Sequence, residues 1–276
     1  MKFLIIAIFT LLTTLSFPLL SQESNLPKQK GSLYLTWGYH REGYTKSDLH
    51  FKNNTQRNYN FTLYNANAAD KDDLSDFFQQ DLTVPQYTIN VGYMLNNKSN
   101  TGFELAFDHL KYVVTDDQQL HLKGEIEGVY YDKDTLVSHD FVHLEHTNGN
   151  NYVTANFVKA FSLMKKKSGV PSLTVMLKGG GGVLTPKTTS TVLGDFLDAP
   201  LNISGWVATA SANLRYEFFR YFYLEVGTKG AFVDYTRAIL AKEGRAKHTF
   251  FSVQYIGAAG ITIPLGGWSS KNQLKP

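Results

Sequence analysis

His139, Asp140, His143, Glu145 and His146 fall within eight positions and form the densest set of groups in this chain able to move a proton or bind a cation. Side chains alternate along an extended strand, so His143 and Glu145 share a face with Phe141 and Thr147, while Val142 and His146 take the other. The first face offers a carboxylate-supported imidazole, and His143, Glu145 and His146 are the catalytic candidates. Covalent acyl transfer needs a nucleophile as well as a base and a group to orient it, and no serine stands here; Thr147 beside His146 is the nearest hydroxyl. A metal site is the other chemistry on offer. His121, His139, His143 and His146 are spaced by 18, 4 and 3 residues, which matches no recognised ligand signature, so no metal and no cofactor are expected. Without either chemistry these residues are polar positions of a β-extension, hydrogen-bonded across a hairpin. The acidic run around Asp70, Asp72, Asp73 and Asp76 lacks the glycine and closing glutamate of a calcium loop.

A second set of ionisable residues is dispersed. Arg215, Glu217, Glu225 and Lys229 alternate with Leu214, Tyr216, Leu224 and Val226, and Glu104 and Lys178 sit in similar patterns. Period-two alternation is the signature of a strand with two unlike faces. It recurs over 33–39, 87–95, 103–107, 153–157, 173–177, 206–218, 222–232 and 251–263, and no segment after the N-terminus carries a comparable 3.6-residue stripe. The connections alternate in length. Those around 96–100, 165–169 and 218–222 are short, whereas 41–85, 114–150, 184–202 and 236–248 are long.

Short turns at one end and long loops at the other are the plan of an up-and-down transmembrane β-barrel, all-β and antiparallel, with eight strands and both termini on the short-turn side. Ten strands would follow if 58–68 and 138–147 also crossed; both read as extensions above the lipid. In this plan the apolar face meets hydrocarbon. Trp37, Trp206 and Tyr216 then fit the aromatic belts, and His109 and Lys111, in step with Phe103, Leu105 and Phe107, would reach lipid head groups. Lys159 shares the lipid-facing alternation, so either it sits near an interface and snorkels or a bulge shifts the register. The charged face points into a lumen just wide enough for side chains. Glu104, Lys178, Arg215, Glu217, Glu225 and Lys229 would have to pair there as an ionic network, because a lone buried charge is costly. The small-residue runs 179–182 and 257–260 suit close strand packing.

Composition agrees. The 276 residues carry a formal charge of +3 and 14% aromatics, an excess of rings over ordinary soluble domains and a charge too mild and dispersed for nucleic acid. Lys2, the apolar run Phe3 to Leu20 and the polar Ser21, Gln22, Glu23 and Ser24 read as a cleaved secretory signal. There is no cysteine, hence no disulfide staple and no lipid-acceptor thiol in an exported chain. The expected organisation is a signal peptide over 1–21, a periplasmic segment over 22–30, a barrel over 31–266 with the four long loops extracellular, and a tail over 267–276.

After residue 30 the pattern resembles the small eight-stranded outer-membrane barrels of Gram-negative bacteria. The phrases LYLTWGYHREGYTKSDLHFKN (33–53) and FELAFDHLKYVV (103–114) resemble outer-membrane barrel proteins of the Bacteroidota. The resemblance implies fold and cell-outer-membrane location and no activity; it implies contact with outer-membrane lipid, lipopolysaccharide and the assembly machinery, and loops able to take an extracellular ligand. The chain departs from the commonest pattern in ending GGWSSKNQLKP, without a terminal aromatic. The segment around His146 is similar in part to the lipid A 3-O-deacylases, whose histidine is followed two residues later by serine and then asparagine; His146, Thr147 and Asn148 come nearest, without the serine. The expected function is structural or surface-interacting, with a side-chain-filled lumen and no catalysis. The competing readings are an outer-leaflet lipid-modifying enzyme with its rim site at His143, Glu145 and His146, and a soluble periplasmic lipocalin-like barrel.

Overall fold

The computed structural model describes residues 31–70, 85–95, 100–165, 171–218 and 221–265. The expected signal peptide, the segment 22–30, the tail 267–276 and most of the acidic run from residue 71 lie outside the described residues.

Fifteen strands form one continuous antiparallel sheet: β1 Ser32–Tyr44, β2 Ser47–Asn53, β3 Tyr59–Ala66, β4 Ala68–Ala69, β5 Tyr87–Met94, β6 Thr101–Val114, β7 Gln118–Ile126, β8 Val129–Val137, β9 Val142–Lys165, β10 Pro171–Leu184, β11 Thr189–Val192, β12 Asp195–Asp198, β13 Gly205–Glu217, β14 Phe222–Ile239 and β15 Arg245–Pro264. Eight of them pair in a ring, β1 with β5, then β6, β9, β10, β13, β14 and β15. The ring closes where Ser32 to Tyr44 run against Pro264 to Ser252. Closure removes the unpaired edge that an open sheet would present. At the short-turn end the Leu265 N–H donates to the Gly31 carbonyl at 2.9 Å, so both ends of the described chain lie there.

The alternation along these strands becomes two unlike surfaces. Leu33, Leu35, Trp37, Phe103, Leu105, Phe157, Leu214, Val226 and Phe251 point out and are exposed, Leu105 by 67%, while Thr36, Glu104, Asn156, Lys178, Arg215 and Glu225 point in and are buried. The outward face turns polar beyond Phe232 and Phe251, at Asp234, Thr249 and Lys247, and those positions mark the outer limit of the apolar band. Lys159 faces out, half-buried, opposite Thr101 and toward the short-turn end. Gly179 to Gly182 are interior to β10. A side chain at Gly180 or Gly182 would place its Cβ 2.0 or 1.8 Å from the carbonyl oxygens of Ala155 and Val153, so β9 approaches as closely as only glycine permits.

The expected long loops are largely strands. Above the ring, Arg245 to Lys247 of β15 pair with β2, and the sheet runs on through β3 and β7 to β8. The β11–β12 hairpin adds to the outer end of β9. Residues 58–68 and 138–147 belong to this headpiece. Leu49, Phe51, Phe61, Leu63, Leu120, Leu122, Val142, Leu144 and Val192 form its core, with the Phe51 and Phe61 rings stacked at 5.2 Å. Alternation with a dry inner face supplies these strands, as it does in soluble sheets.

Candidate functional site

The lumen holds two groups of ion pairs. In the first, Lys178 Nζ donates to Glu104 Oε2 at 2.7 Å and to Glu225 Oε1 at 3.3 Å. Arg215 meets the other Glu225 oxygen through Nε at 2.8 Å and Nη2 at 2.7 Å. The guanidinium lies between two rings, 3.8 Å from the centre of Tyr223 and 4.7 Å from that of Tyr34. Tyr34 donates to Glu104 at 2.8 Å, and the Asn213 amide donates to Glu225 at 2.7 Å. Two carboxylates face two cations, so the charges balance where solvent cannot screen them. In the second group Lys229 Nζ donates to both oxygens of Asp108 at 2.7 Å, and nearby the buried His40 ring bonds Glu42.

Thus Glu104, Lys178, Arg215 and Glu225 come together, Lys229 stands apart on Asp108, and Glu217 is half-buried at the short-turn mouth beside Arg215. Asp108 was missed by sequence reasoning, although it shares the parity of Glu104 in β6. Alternation assigns a face; it does not assign a partner 121 residues away. Tyr34 and Tyr223 were missed as well, because an inward aromatic is indistinguishable from an outward one until the register is known.

Trp37, Trp206 and Tyr216 lie on the exposed apolar face. His109 and Lys111 do not, being 8% and 2% exposed, and this corrects the expected lipid contact. Beyond Phe107 the strand enters the headpiece: His109 bonds Asn151 Oδ1 at 2.8 Å and stacks on Tyr87 at 5.2 Å, while Gln86 accepts from the Lys111 N–H at 3.1 Å. The register of β6 on β9 shifts between Leu110 and Tyr112, and Gly149 takes φ +128° in the bulge. His109 precedes that shift and keeps its register with Tyr87 of β5, so it is covered on its own face and not turned to the other one.

The headpiece separates the candidate catalytic histidines. His143 faces out of the sheet toward Asp116, with Nδ1 2.9 Å from Oδ1 and Nε2 3.7 Å from Glu145 Oε2. His146 points the other way, into the mouth of the ring. There its Nδ1 meets the Thr188 hydroxyl at 2.9 Å and its Nε2 meets His248 Nε2 at 3.3 Å, within a stack that includes Tyr112, Tyr235 and Phe250. One of the facing nitrogens must donate and the other accept, so the two rings cannot both be protonated. Burial pushes His248 down to about 3, and burial together with the neighbouring His248 holds His146 well below the usual imidazole range. This pair lies beyond the apolar band and out of solvent's reach. His143, Glu145 and His146 therefore do not form one rim site, and neither Thr147 nor Thr188 is placed as an accessible nucleophile, both being buried.

The fold is thus a closed antiparallel barrel with an apolar exterior, a charge-paired interior and a folded cap. No protein-family model matches the chain, and no curated protein matches its sequence. Among solved structures it is similar to the outer membrane protein AlkL, at 11% identity over 89% of this chain and 96% of that one with a TM-score of 0.41. It is also similar to Neisserial surface protein A, at 8% identity over 84% and 98% with a TM-score of 0.36, and to OprG of Pseudomonas aeruginosa, at 12% identity over 86% and 97% with a TM-score of 0.33. At such scores the likeness carries no argument, and the barrel stands on its own strand pairing.

Proposed function

We propose that the chain is exported through a cleaved signal peptide, spans the outer membrane of a Gram-negative cell as a filled eight-stranded barrel, and presents its headpiece at the cell surface in a structural or surface-interaction role. The carrying observation is the inversion of the ring: its exposed face is apolar, and its buried face is charged and internally paired. A water-soluble barrel reverses that arrangement, which disfavours the lipocalin-like reading. Trp37, Trp206 and Tyr216 would contact lipid and lipopolysaccharide, and the headpiece would take any extracellular ligand. The separation of His143 from His146 speaks against a lipid-modifying rim enzyme.

The test is membrane fractionation followed by gel mobility with and without boiling. Outer-membrane recovery and a heat-modifiable band are expected; recovery in the soluble periplasmic fraction overturns the reading. Mass spectrometry of host lipid A should show one acyl pattern with and without the gene, and a changed pattern would reinstate the enzyme.

A further inference from the structure

On the outer surface of the headpiece, two turns far apart in sequence bring three metal-ligating residues together. Asp116 lies between β6 and β7, where Asp117 takes φ +55°. His139 lies between β8 and β9, in a turn closed by the Phe141 and Val142 N–H groups on the Ser138 carbonyl at 3.1 and 3.0 Å. The Asp117 N–H donates to the Val137 carbonyl at 2.9 Å and ties the two turns together. His143 follows in β9, paired with Thr191 of β11. One donor atom from each of Asp116, His139 and His143 lies within 4.8 Å of the others.

We propose that Asp116, His139 and His143 form a binding site for a divalent transition-metal ion of the Zn²⁺ class. Two imidazoles and one carboxylate are a borderline ligand set that favours such ions over Ca²⁺ or Mg²⁺. The spacing fits. Donors about 2.0–2.2 Å from a metal stand about 2.8–3.6 Å apart in octahedral or tetrahedral geometry. Asp116 Oδ1 is 2.9 Å from His143 Nδ1, and Oδ2 is 3.2 Å from His139 Nδ1. A cation between them takes the two Nδ1 lone pairs, and each neutral ring carries its proton on Nε2 instead. On His143 that proton lies on the side of Glu145 Oε2, 3.7 Å away, and a closing of about 0.7 Å would make Glu145 the carboxylate behind a ligating histidine that orients many metal-bound imidazoles. The His139 side chain is 58% exposed, which leaves water to complete the coordination. His121 takes no part, being held by Asp132 and Asp134 at 2.9 Å each, nor does His146 in its buried stack. The site goes beyond the surface-interaction reading and does not depend on the membrane.

The test uses the full chain in detergent micelles, stripped with EDTA, dialysed against ZnCl₂ and assayed by mass spectrometry of bound zinc. About one Zn²⁺ per chain is expected. His139→Ala, an exposed change that leaves the fold intact, should abolish retention, Glu145→Gln should weaken it about tenfold or more, and His121→Ala should leave it unchanged. No zinc on the parent protein, or parental binding by both His139→Ala and His143→Ala, refutes the site. Loss in His121→Ala with retention in His139→Ala places the metal elsewhere and refutes it equally.

Discussion

At the scale of single residues, Glu225 is the hinge of the lumen network, because both Lys178 and Arg215 depend on it. Glu225→Ala strands the buried Arg215 and leaves Lys178 with Glu104 alone; it should cost about 3–5 kcal/mol, read as a lower urea midpoint for loss of the folded, faster-migrating band. Asp134→Asn, on a side chain 80% exposed, should change stability by less than about 0.5 kcal/mol in the same titration. The neutral pair His146 and His248 sets a pH response. Unfolded histidines take up protons below about 6.5, whereas folded His248 resists to about 3. Stability from the pair is therefore complete above about 6.5 and is lost as pH falls from there to about 3. Protease accessibility of the headpiece should rise over that window, and His248→Phe, which cannot take up a proton, should flatten the rise. The charged faces were legible because strict alternation separates the polar positions of each strand from the apolar ones. The separation of His143 from His146 was legible too, since an odd spacing on a strand puts two residues on opposite faces. The meeting of Asp116 with His139 was not, because it depends on two turns whose proximity no local pattern encodes.

At the scale of elements, strand identity was legible and strand destination was not. Leu120 and Leu122 alternate with polar residues as the barrel strands do, yet β7 lies over the mouth of the ring, on a core that includes Phe61 and Leu63. Period two says that a strand has a dry face; it does not say whether lipid or protein dries it. The bulge opposite Leu110 and Tyr112 was equally silent, and so was the cover that buries His109 and Lys111 where the strand leaves the ring. Glycine positions inside the strands make a testable contrast. A Cβ at Gly92 would lie 2.0 Å from the Tyr34 ring, whereas one at Gly43 would meet nothing within 4 Å. Gly92→Ala must push Tyr34 off Glu104 and Arg215 and should cost about 1–3 kcal/mol. Gly43→Ala should be neutral within about 0.5 kcal/mol in the same urea titration.

At the scale of the whole molecule, the filled lumen predicts a protein that conducts nothing. Reconstituted in a planar bilayer it should give no single-channel steps, since eight strands enclose only side chains and here those side chains are locked in pairs. Regular steps in purified protein would show that the network opens. Closure of the ring also imposes an order in time. The seam joins residues 32–44 to 252–264, contacts separated by nearly the whole described chain, and long-range contacts of this kind form late because so much chain must first be brought into place. The same last strand, at its other end, grips β2 through Arg245, Ala246 and Lys247. Until β15 arrives, the early strands β1 and β2 wait for partners at two heights, and one event then seals the wall and seats the cap. A nascent chain halted before Arg245 would hold neither.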